Sequence, residues 1–234
     1  MTDAVVPRLL VRTDRYRAAV VARSLAMVAQ VIATAARHAA PPGTVGVLFA
    51  EADLPAHPRS RLLGHVREAI DRGAPSGGVP LFVLAPTAGV DTTGADGAVL
   101  LPGDAASGGN LLRLRLWSGP AGARLAVPED GIAGCVVGPV QPPLSGADEA
   151  GAGAIIQAEA LARVVARWAP QPVLASGGVG VANLATVLAS GVAGVVVCSA
   201  VVASVDPAAA VAQLLDGLFT EDGIPARAQD ERDH

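Results

Sequence analysis

The fold prediction depends on Pro172-Val-Leu-Ala-Ser-Gly-Gly-Val179 and on Ala193-Gly-Val-Val-Val-Cys-Ser-Ala-Val201. Each stretch is a short apolar run that ends in small residues, which is typical of a buried parallel strand. Residues 181–191 between them have a helical pattern that a glycine closes. The order of strand, glycine loop, helix and strand predicts a βαβ unit.

Both strands are followed by small residues at the same end of the predicted sheet. Gly177 and Gly178 follow the first strand, and Cys198 and Ser199 follow the second. In a (β/α)₈ barrel, the loops after the last two strands commonly bind a phosphate through backbone N–H groups, which a Cβ atom would keep at a distance. We therefore predict that these residues bind a phosphate, with Ser199 adding a hydroxyl donor. An ordinary pair of tight βα turns is the alternative.

Apolar runs separated by helical or short spacers recur along the whole chain. Eight of them are typical of strands: residues 9–14, 45–50, 79–84, 97–101, 112–117, 131–140, 173–176 and 195–198. Helical patterns occupy residues 16–39, 59–72, 155–168, 181–191 and 208–218, and spacers 86–96 and 119–130 have room for only a turn of helix. This alternation predicts a single (β/α)₈ TIM barrel over residues 1–219, followed by a flexible C-terminal tail over residues 220–234. An open doubly wound sheet is the alternative.

The composition excludes several classes of protein. The 234 residues, 51% of them hydrophobic, suffice for one α/β domain. No apolar run is long enough to span a bilayer and no signal-peptide pattern occurs, so we expect a cytoplasmic protein that does not bind membranes. A net charge of −4 with scattered basic residues gives no support to nucleic-acid binding.

The cysteine and lysine content excludes further kinds of site and reaction. Both cysteines, Cys135 and Cys198, lie in strand-like runs and predict buried free thiols without a disulfide or a zinc site. All 17 residues of the Lys+Arg count are arginine, so Schiff-base chemistry is excluded.

Four motifs at the ends of predicted strands resemble one family. They are Leu9-Leu-Val-Arg-Thr-Asp-Arg15, Gly138-Pro-Val140, Ala175-Ser-Gly-Gly178 and Val197-Cys-Ser-Ala200. They are similar to the first strand, the turn after the sixth strand and the two phosphate loops of the thiamin-phosphate synthase/TenI family of barrels. The resemblance covers nearly the whole chain and is most specific in its last third. It implies binding of a phosphorylated thiazole-type ligand in thiamin metabolism, with Thr13, Gly138 and Pro139 as further substrate contacts.

The chain departs from that family in the residues that handle diphosphate and metal. Synthases of the family release diphosphate with the help of Mg²⁺ and cationic residues. Their second strand ends in Gln-x-Arg-x-Lys-Asp, where this chain has Leu48-Phe-Ala-Glu-Ala-Asp53, and their third ends in Asn-Asp-Arg, where it has Leu84-Ala-Pro86. Asp104 matches the family's second metal carboxylate. The resemblance thus implies Mg²⁺ as the only cofactor, with most of its site lost.

Catalytic residues are not assigned by these motifs. Ser145 keeps a hydroxyl where the family has a Thr-x-Thr-Lys segment, and Ser118 lies near its Thr-His-Ser segment. TenI tautomerases have a histidine where this chain has Pro139, so proton transfer would need another group, such as Glu51, Asp53 or Glu149. Ser118, Ser145 and Glu51 are therefore the catalytic candidates.

Three functions follow from the resemblance and its losses. The first is a divergent member of the family, a synthase-like transferase if it is active. The second is a non-catalytic protein, for ligand binding or assembly, that kept the phosphate site. The third is a thiazole tautomerase-like isomerase with a different proton carrier. Each has a phosphorylated small molecule as its partner, and a homo-oligomer is left open.

Overall fold

Eight parallel strands close into a barrel in the order of the sequence. The computed structural model describes residues 5–85, 94–104, 111–142 and 155–219, without the side chains of Ala85 and Leu125. The strands are β1 (Leu9–Arg12), β2 (Val45–Phe49), β3 (Leu81–Ala85), β4 (Gly97–Leu100), β5 (Leu112–Ser118), β6 (Gly134–Gly138), β7 (Val173–Ser176) and β8 (Gly194–Val197). Because β1 pairs with both β2 and β8, the TIM-barrel prediction is confirmed and the open sheet is wrong. The proposed tail lies outside the described residues, and the domain limits stay a prediction.

Helices connect the strands on the outside of the barrel. They are α1 (Arg15–Val20), α2 (Leu25–Ala39), α3 (Ala56–Gly73), α4 (Gly119–Leu125), α5 (Ala158–Trp168), a 3₁₀ turn (Val181–Asn183), α6 (Leu184–Leu188), α7 (Ser199–Val202) and α8 (Pro207–Phe219). None of the helices in the described ranges is long and apolar enough to cross a lipid bilayer.

Side-chain alternation along the strands divides the core into two clusters. The inner cluster fills the barrel and consists of Leu10, Leu48, Phe82, Val99, Leu114, Val136, Leu174 and Val196. Neighbouring strand residues such as Val11 and Val47 point outward and pack with the helices. Each fully buried side chain of this size contributes roughly 1.5–3 kcal/mol of hydrophobic stabilisation. Residues two positions beyond the inner cluster face the open end formed by the carboxyl ends of the strands, which we call the mouth.

The helical pattern over residues 16–39 forms two helices, so the prediction of one continuous helix is wrong. Ala22 has φ +54°, a left-handed conformation that interrupts the helix. The hydroxyl of Ser24 then accepts a hydrogen bond from the Met27 N–H at 3.2 Å and begins α2. Asp14 caps α1 in the same way, because its carboxylate accepts from the Tyr16 and Arg17 N–H groups.

The spacer after β5 also differs from the prediction. It holds α4, a helix of seven residues, where we expected a single turn. A contact distant in sequence stabilises the end of α4, since Arg167 of α5 donates to the carbonyls of Arg124 and Ala126. The other short spacer, 86–96, lies mostly outside the described residues.

Candidate functional site

The mouth of the barrel has an apolar side and a polar side. Ala50 after β2 and Leu84 in β3 pack on the inner cluster and face the mouth. By strand alternation, Ser118 of β5, Ser176 of β7 and Arg12 of β1 face it as well. Small-molecule sites commonly combine such an apolar wall with a few polar groups.

The glycine loop after β7 has a conformation and a packing that exclude larger residues. Gly177 has φ +84° and Gly178 has φ +69°. A Cβ atom on Gly177 would lie 2.7 Å from the Pro139 Cβ, and one on Gly178 would overlap the Pro142 carbonyl oxygen. The chain after β6 therefore packs directly on this loop. The two glycines are therefore required by this neighbouring segment, apart from the close approach of a phosphate that the sequence predicts.

Hydrogen bonds to its carbonyl groups fix the orientation of the glycine loop. The Gln141 N–H donates to the Gly177 carbonyl at 3.2 Å. The Asn183 side chain donates to the Gly178 carbonyl and accepts from the Gly180 N–H, both at 2.9 Å. In a trans peptide the carbonyl and the next N–H point in opposite directions. The N–H groups of Gly178 and Val179 thus point away from these partners.

Four backbone donors at the ends of β7 and β8 have no acceptor in the described part of the chain. The N–H groups of Gly178 and Val179 donate to no residue within the described ranges, and neither do those of Ser199 and Ala200 at the start of α7. Cys198 provides no side-chain cap there. Since β7 and β8 are adjacent, with strands about 4.8 Å apart, these donors lie close together. We call these four residues the β7–β8 corner.

Cys198 lies in this region but its thiol is not poised for reaction. The side chain packs against the outward-facing core residues between strands and helices. Burial raises the pKa of the Cys198 thiol to about 11, and the nearby positive charge of Arg12 opposes this shift only in part. The thiol is therefore neutral near pH 7, so Cys198 can contact a ligand anion only as a neutral group or through its backbone. Burial likewise raises the pKa of the Cys135 thiol.

A saturated polar network occupies the ends of β1 and β2. Thr13 Oγ1 donates to Glu51 Oε1 at 3.0 Å and accepts from the Ala50 N–H at 3.0 Å. Arg15 donates its backbone N–H to Glu51 Oε1 at 3.2 Å and its Nη1 to Glu51 Oε2 at 2.8 Å. It also pairs with Asp53, and this hydrogen bond raises the pKa of Arg15 and lowers that of Asp53. We call Thr13, Arg15, Glu51 and Asp53 the β1–β2 corner.

This network gives two of the predicted site residues a structural role. Glu51, a catalytic candidate, is 4% exposed, and both of its carboxylate oxygens accept hydrogen bonds. Thr13, a predicted substrate contact, uses its hydroxyl as donor and as acceptor inside the network. A role for either residue in ligand binding or proton transfer stays a prediction.

Asp104, the predicted metal ligand, is buried just after β4. Its Oδ2 accepts from the Leu101 N–H at 2.9 Å, whereas Oδ1 has no hydrogen-bond partner among the described residues. Arg115 donates to its backbone carbonyl at 3.0 Å. In the part of the chain that the structure describes, no three His, Cys, Asp or Glu side chains come together. Because Mg²⁺ needs more oxygen ligands than one carboxylate offers, these residues do not fit a magnesium site, and Mg²⁺ stays a prediction.

Gly138 and Pro139, the other predicted substrate contacts, lie next to the glycine loop. Gly138 ends β6, and a Cβ atom there would overlap the Ser176 carbonyl oxygen. Pro139 follows and contacts Gly177. Ser118 is exposed and pairs in register with Gly138, one strand further away. Ser145 lies outside the described residues.

Arg12, at the end of β1, is a mouth residue that the sequence reasoning missed. Its register partner Leu48 and its strand neighbour Leu10 both belong to the inner cluster, so Arg12 faces the mouth. It is exposed and makes no hydrogen bond or ion pair with any described residue. Period-two alternation in Leu9-Leu-Val-Arg12 was the signal that could have found it.

Solved structures share this fold, although no family model and no curated protein sequence matches the chain. Thiamine phosphate pyrophosphorylase from Pyrococcus furiosus superposes with a TM-score of 0.68 at 21% identity, over 91% of this chain and 97% of that one. (S)-3-O-geranylgeranylglyceryl phosphate synthase from Thermoplasma acidophilum, in complex with sn-glycerol-1-phosphate, superposes with a TM-score of 0.60 at 12% identity, over 92% of this chain and 93% of that one. Orotidine 5'-phosphate decarboxylase from Pyrococcus horikoshii superposes with a TM-score of 0.56 at 14% identity, over 91% of this chain and 99% of that one. At such identities the likeness establishes the TIM-barrel fold, which these proteins named for phosphorylated compounds share.

Proposed function

We propose that the chain binds a phosphorylated thiazole-type ligand as a divergent thiamin-phosphate synthase/TenI-like protein. The observation behind this proposal is that the four N–H groups of the β7–β8 corner donate to no described residue. Phosphate oxygens accept hydrogen bonds from such groups, and each bond to a charged group contributes about 1.5–3 kcal/mol. The motif resemblance in the same segment and the similar fold of thiamine phosphate pyrophosphorylase support it further.

The apolar side of the mouth suits the rest of such a ligand. Ala50 and Leu84 face the mouth from the β2–β3 side, away from the β7–β8 corner. A heteroaromatic ring whose phosphate is held between β7 and β8 would extend over these residues. The proposed ligand therefore has an anionic end and an apolar end.

The same residues argue against efficient release of diphosphate. Ala50 and Ala52 stand where the resembling family has an arginine and a lysine, and neither alanine can neutralise a leaving diphosphate. In the described part of the chain, Asp104 offers a single carboxylate oxygen without a hydrogen-bond partner. We therefore propose that ligand binding is retained and that the transferase reaction is slow or lost.

A non-catalytic binding or assembly protein is the alternative that a specific observation favours. Among the described mouth residues, Glu51 is fully hydrogen-bonded and Cys198 is a neutral thiol, so neither is poised for proton transfer. A tautomerase-like isomerase would need a proton carrier other than these two groups. Of the other carboxylates that the sequence offered, Asp53 is ion-paired with Arg15, and Glu149 lies outside the described residues.

Calorimetric titration tests the binding proposal. We expect the hydroxyethylthiazole phosphate to bind and the unphosphorylated alcohol to bind at least 100-fold more weakly. Gly178→Ala should abolish binding, because the added Cβ displaces the loop from Pro142. Gly43→Ala is the matched control: Gly43 also has positive φ, +82°, but its Cβ would meet only Val5 at 3.9 Å, at the opposite end of the barrel.

Equal affinity for the phosphate and the alcohol would overturn the proposal. Thermal unfolding of both variants shows whether each still folds. A mass-spectrometric assay with hydroxymethylpyrimidine diphosphate, thiazole phosphate and Mg²⁺ then separates the alternatives. Rapid formation of thiamin phosphate would show that the synthase reaction survives, and its absence with retained binding would support the non-catalytic alternative.

A further inference from the structure

Arg12 differs from the arginines that the structure pairs with carboxylates. Arg15 is paired with Glu51 and Asp53, Arg17 with Asp14, and Arg115 with Glu129. Arg12 has no such partner within the described ranges and faces the mouth from the end of β1.

The position of Arg12 brings its charge next to the β7–β8 corner. Strand β1 pairs with β8, and Val11 is opposite Val197. The next residue of β1, Arg12, therefore lies beside Cys198, which directly precedes α7. Adjacent strands are about 4.8 Å apart, which an extended arginine side chain exceeds in length. The positive charge of Arg12 acts to lower the pKa of the Cys198 thiol, which agrees with a short distance between the two side chains.

The local electrostatics favour a doubly charged ligand. The carboxylates nearest to Arg12 in sequence and register, Asp14 and Glu51, each have an arginine of their own. The positive charge of Arg12 is therefore not cancelled at short range. Backbone N–H groups supply only partial charges, so a phosphate dianion bound by the β7–β8 corner still lacks a full counter-charge.

We propose that Arg12 binds the ligand's phosphate together with the β7–β8 corner and makes the site selective for phosphate monoesters over singly charged phosphodiesters. This inference rests on the proposed function, since it names a further contact of the same ligand. A guanidinium group is suited to it, because it donates two parallel hydrogen bonds to a phosphate. It also offers a cation from β1 in a chain without lysine.

The test compares methyl phosphate with dimethyl phosphate at pH 8 by calorimetry on the full chain. We expect the wild type to bind methyl phosphate and to bind dimethyl phosphate at least tenfold more weakly. Arg12→Gln should lower the affinity for methyl phosphate by about 10- to 100-fold, as loss of a charge-assisted hydrogen bond does. It should leave the affinity for dimethyl phosphate nearly unchanged, and Arg12→Lys should restore part of the selectivity.

The control is Arg163→Gln, which removes one exposed positive charge from α5 on the outer surface. If Arg163→Gln weakens binding as much as Arg12→Gln, net charge explains the effect and the inference is overturned. Unchanged selectivity in Arg12→Gln, with methyl phosphate still bound, overturns the role of Arg12 and leaves the β7–β8 corner standing. A wild type that does not bind methyl phosphate overturns the proposed function itself. Because Arg12 is exposed, its variants should unfold at the wild-type temperature.

Discussion

The β1–β2 corner and the β7–β8 corner lie at the same end of one barrel but differ in how their polar groups are satisfied. In the β1–β2 corner, Glu51 accepts from Thr13 and Arg15, and Arg15 also binds Asp53. In the β7–β8 corner, backbone donors have no partner within the described residues. Long charged side chains bind one another across strands, whereas glycine and short residues leave the backbone accessible.

This difference separates structural polar groups from a binding site. Buried polar groups are nearly always hydrogen-bonded, so a saturated network such as that of Glu51 needs no ligand to explain it. Free donors grouped at the ends of adjacent strands are unusual, and a phosphate satisfies several of them at once. The corner with fewer charges is therefore the better candidate for binding an anion.

The largest effect on stability should come from Glu51→Ala. It leaves Thr13 Oγ1 and the Arg15 backbone N–H without their acceptor in a region where Glu51 is 4% exposed. We expect the free energy of unfolding to fall by about 2 kcal/mol, with the affinity for methyl phosphate changed less than twofold. Urea denaturation and calorimetry measure the two quantities.

Asp53→Ala is the matched control for that substitution. Asp53 is exposed and binds the same arginine, so its removal should change stability little. If Glu51→Ala left stability intact but abolished ligand binding, Glu51 would belong to the site and the division between the two corners would be wrong.

An intermediate effect is expected from Asn183→Ala, which tests how the β7–β8 corner is held. The substitution removes the hydrogen bonds to the Gly178 carbonyl and from the Gly180 N–H. We expect about a tenfold loss of methyl phosphate affinity, because the glycine loop must then be ordered by the ligand. Stability should fall by about 1 kcal/mol.

Ser190→Ala provides the comparison for Asn183. Ser190 lies just beyond α6 and donates its hydroxyl to the Val187 carbonyl within that helix. The substitution therefore also removes a side-chain-to-backbone hydrogen bond. That variant should keep wild-type affinity. Equal losses of affinity in the two variants would show that the helical segment matters as a whole, without a specific role for the Asn183 side chain.

Sequence patterns predicted the barrel because apolar runs and spacers are local features. The same local patterns placed Gly177, Gly178 and Ser199 at adjacent strand ends. They could not reveal that Glu51 is held by a residue 38 positions away, or that the segment after β6 packs on Gly178. Those contacts depend on strand order and side-chain reach, which no short window of sequence contains.

The break between α1 and α2 is a place where a local sequence pattern predicted the wrong structure. An alanine-rich pattern has high helix propensity throughout, yet Ala22 adopts φ +54° and Ser24 starts a new helix. The chain must turn from the end of β1 to a helix that packs along the barrel. Tertiary packing therefore overrides local propensity at this point.

The smallest effect on stability at neutral pH concerns Cys198, which follows β8 and lies next to β1. Burial raises the pKa of its thiol to about 11, above the 8.5 typical of a free cysteine. Iodoacetamide should therefore label Cys198 at pH 8 on the order of 100-fold more slowly in the folded protein than in urea. Between pH 8.5 and 11 the unfolded state binds fewer protons at this thiol, so stability should fall as pH rises, and Cys198→Ser should reduce that slope. Fast labelling at pH 8 would show instead that charges of the β1–β2 corner or Arg12 stabilise a thiolate, which would join the two corners into a single electrostatic site.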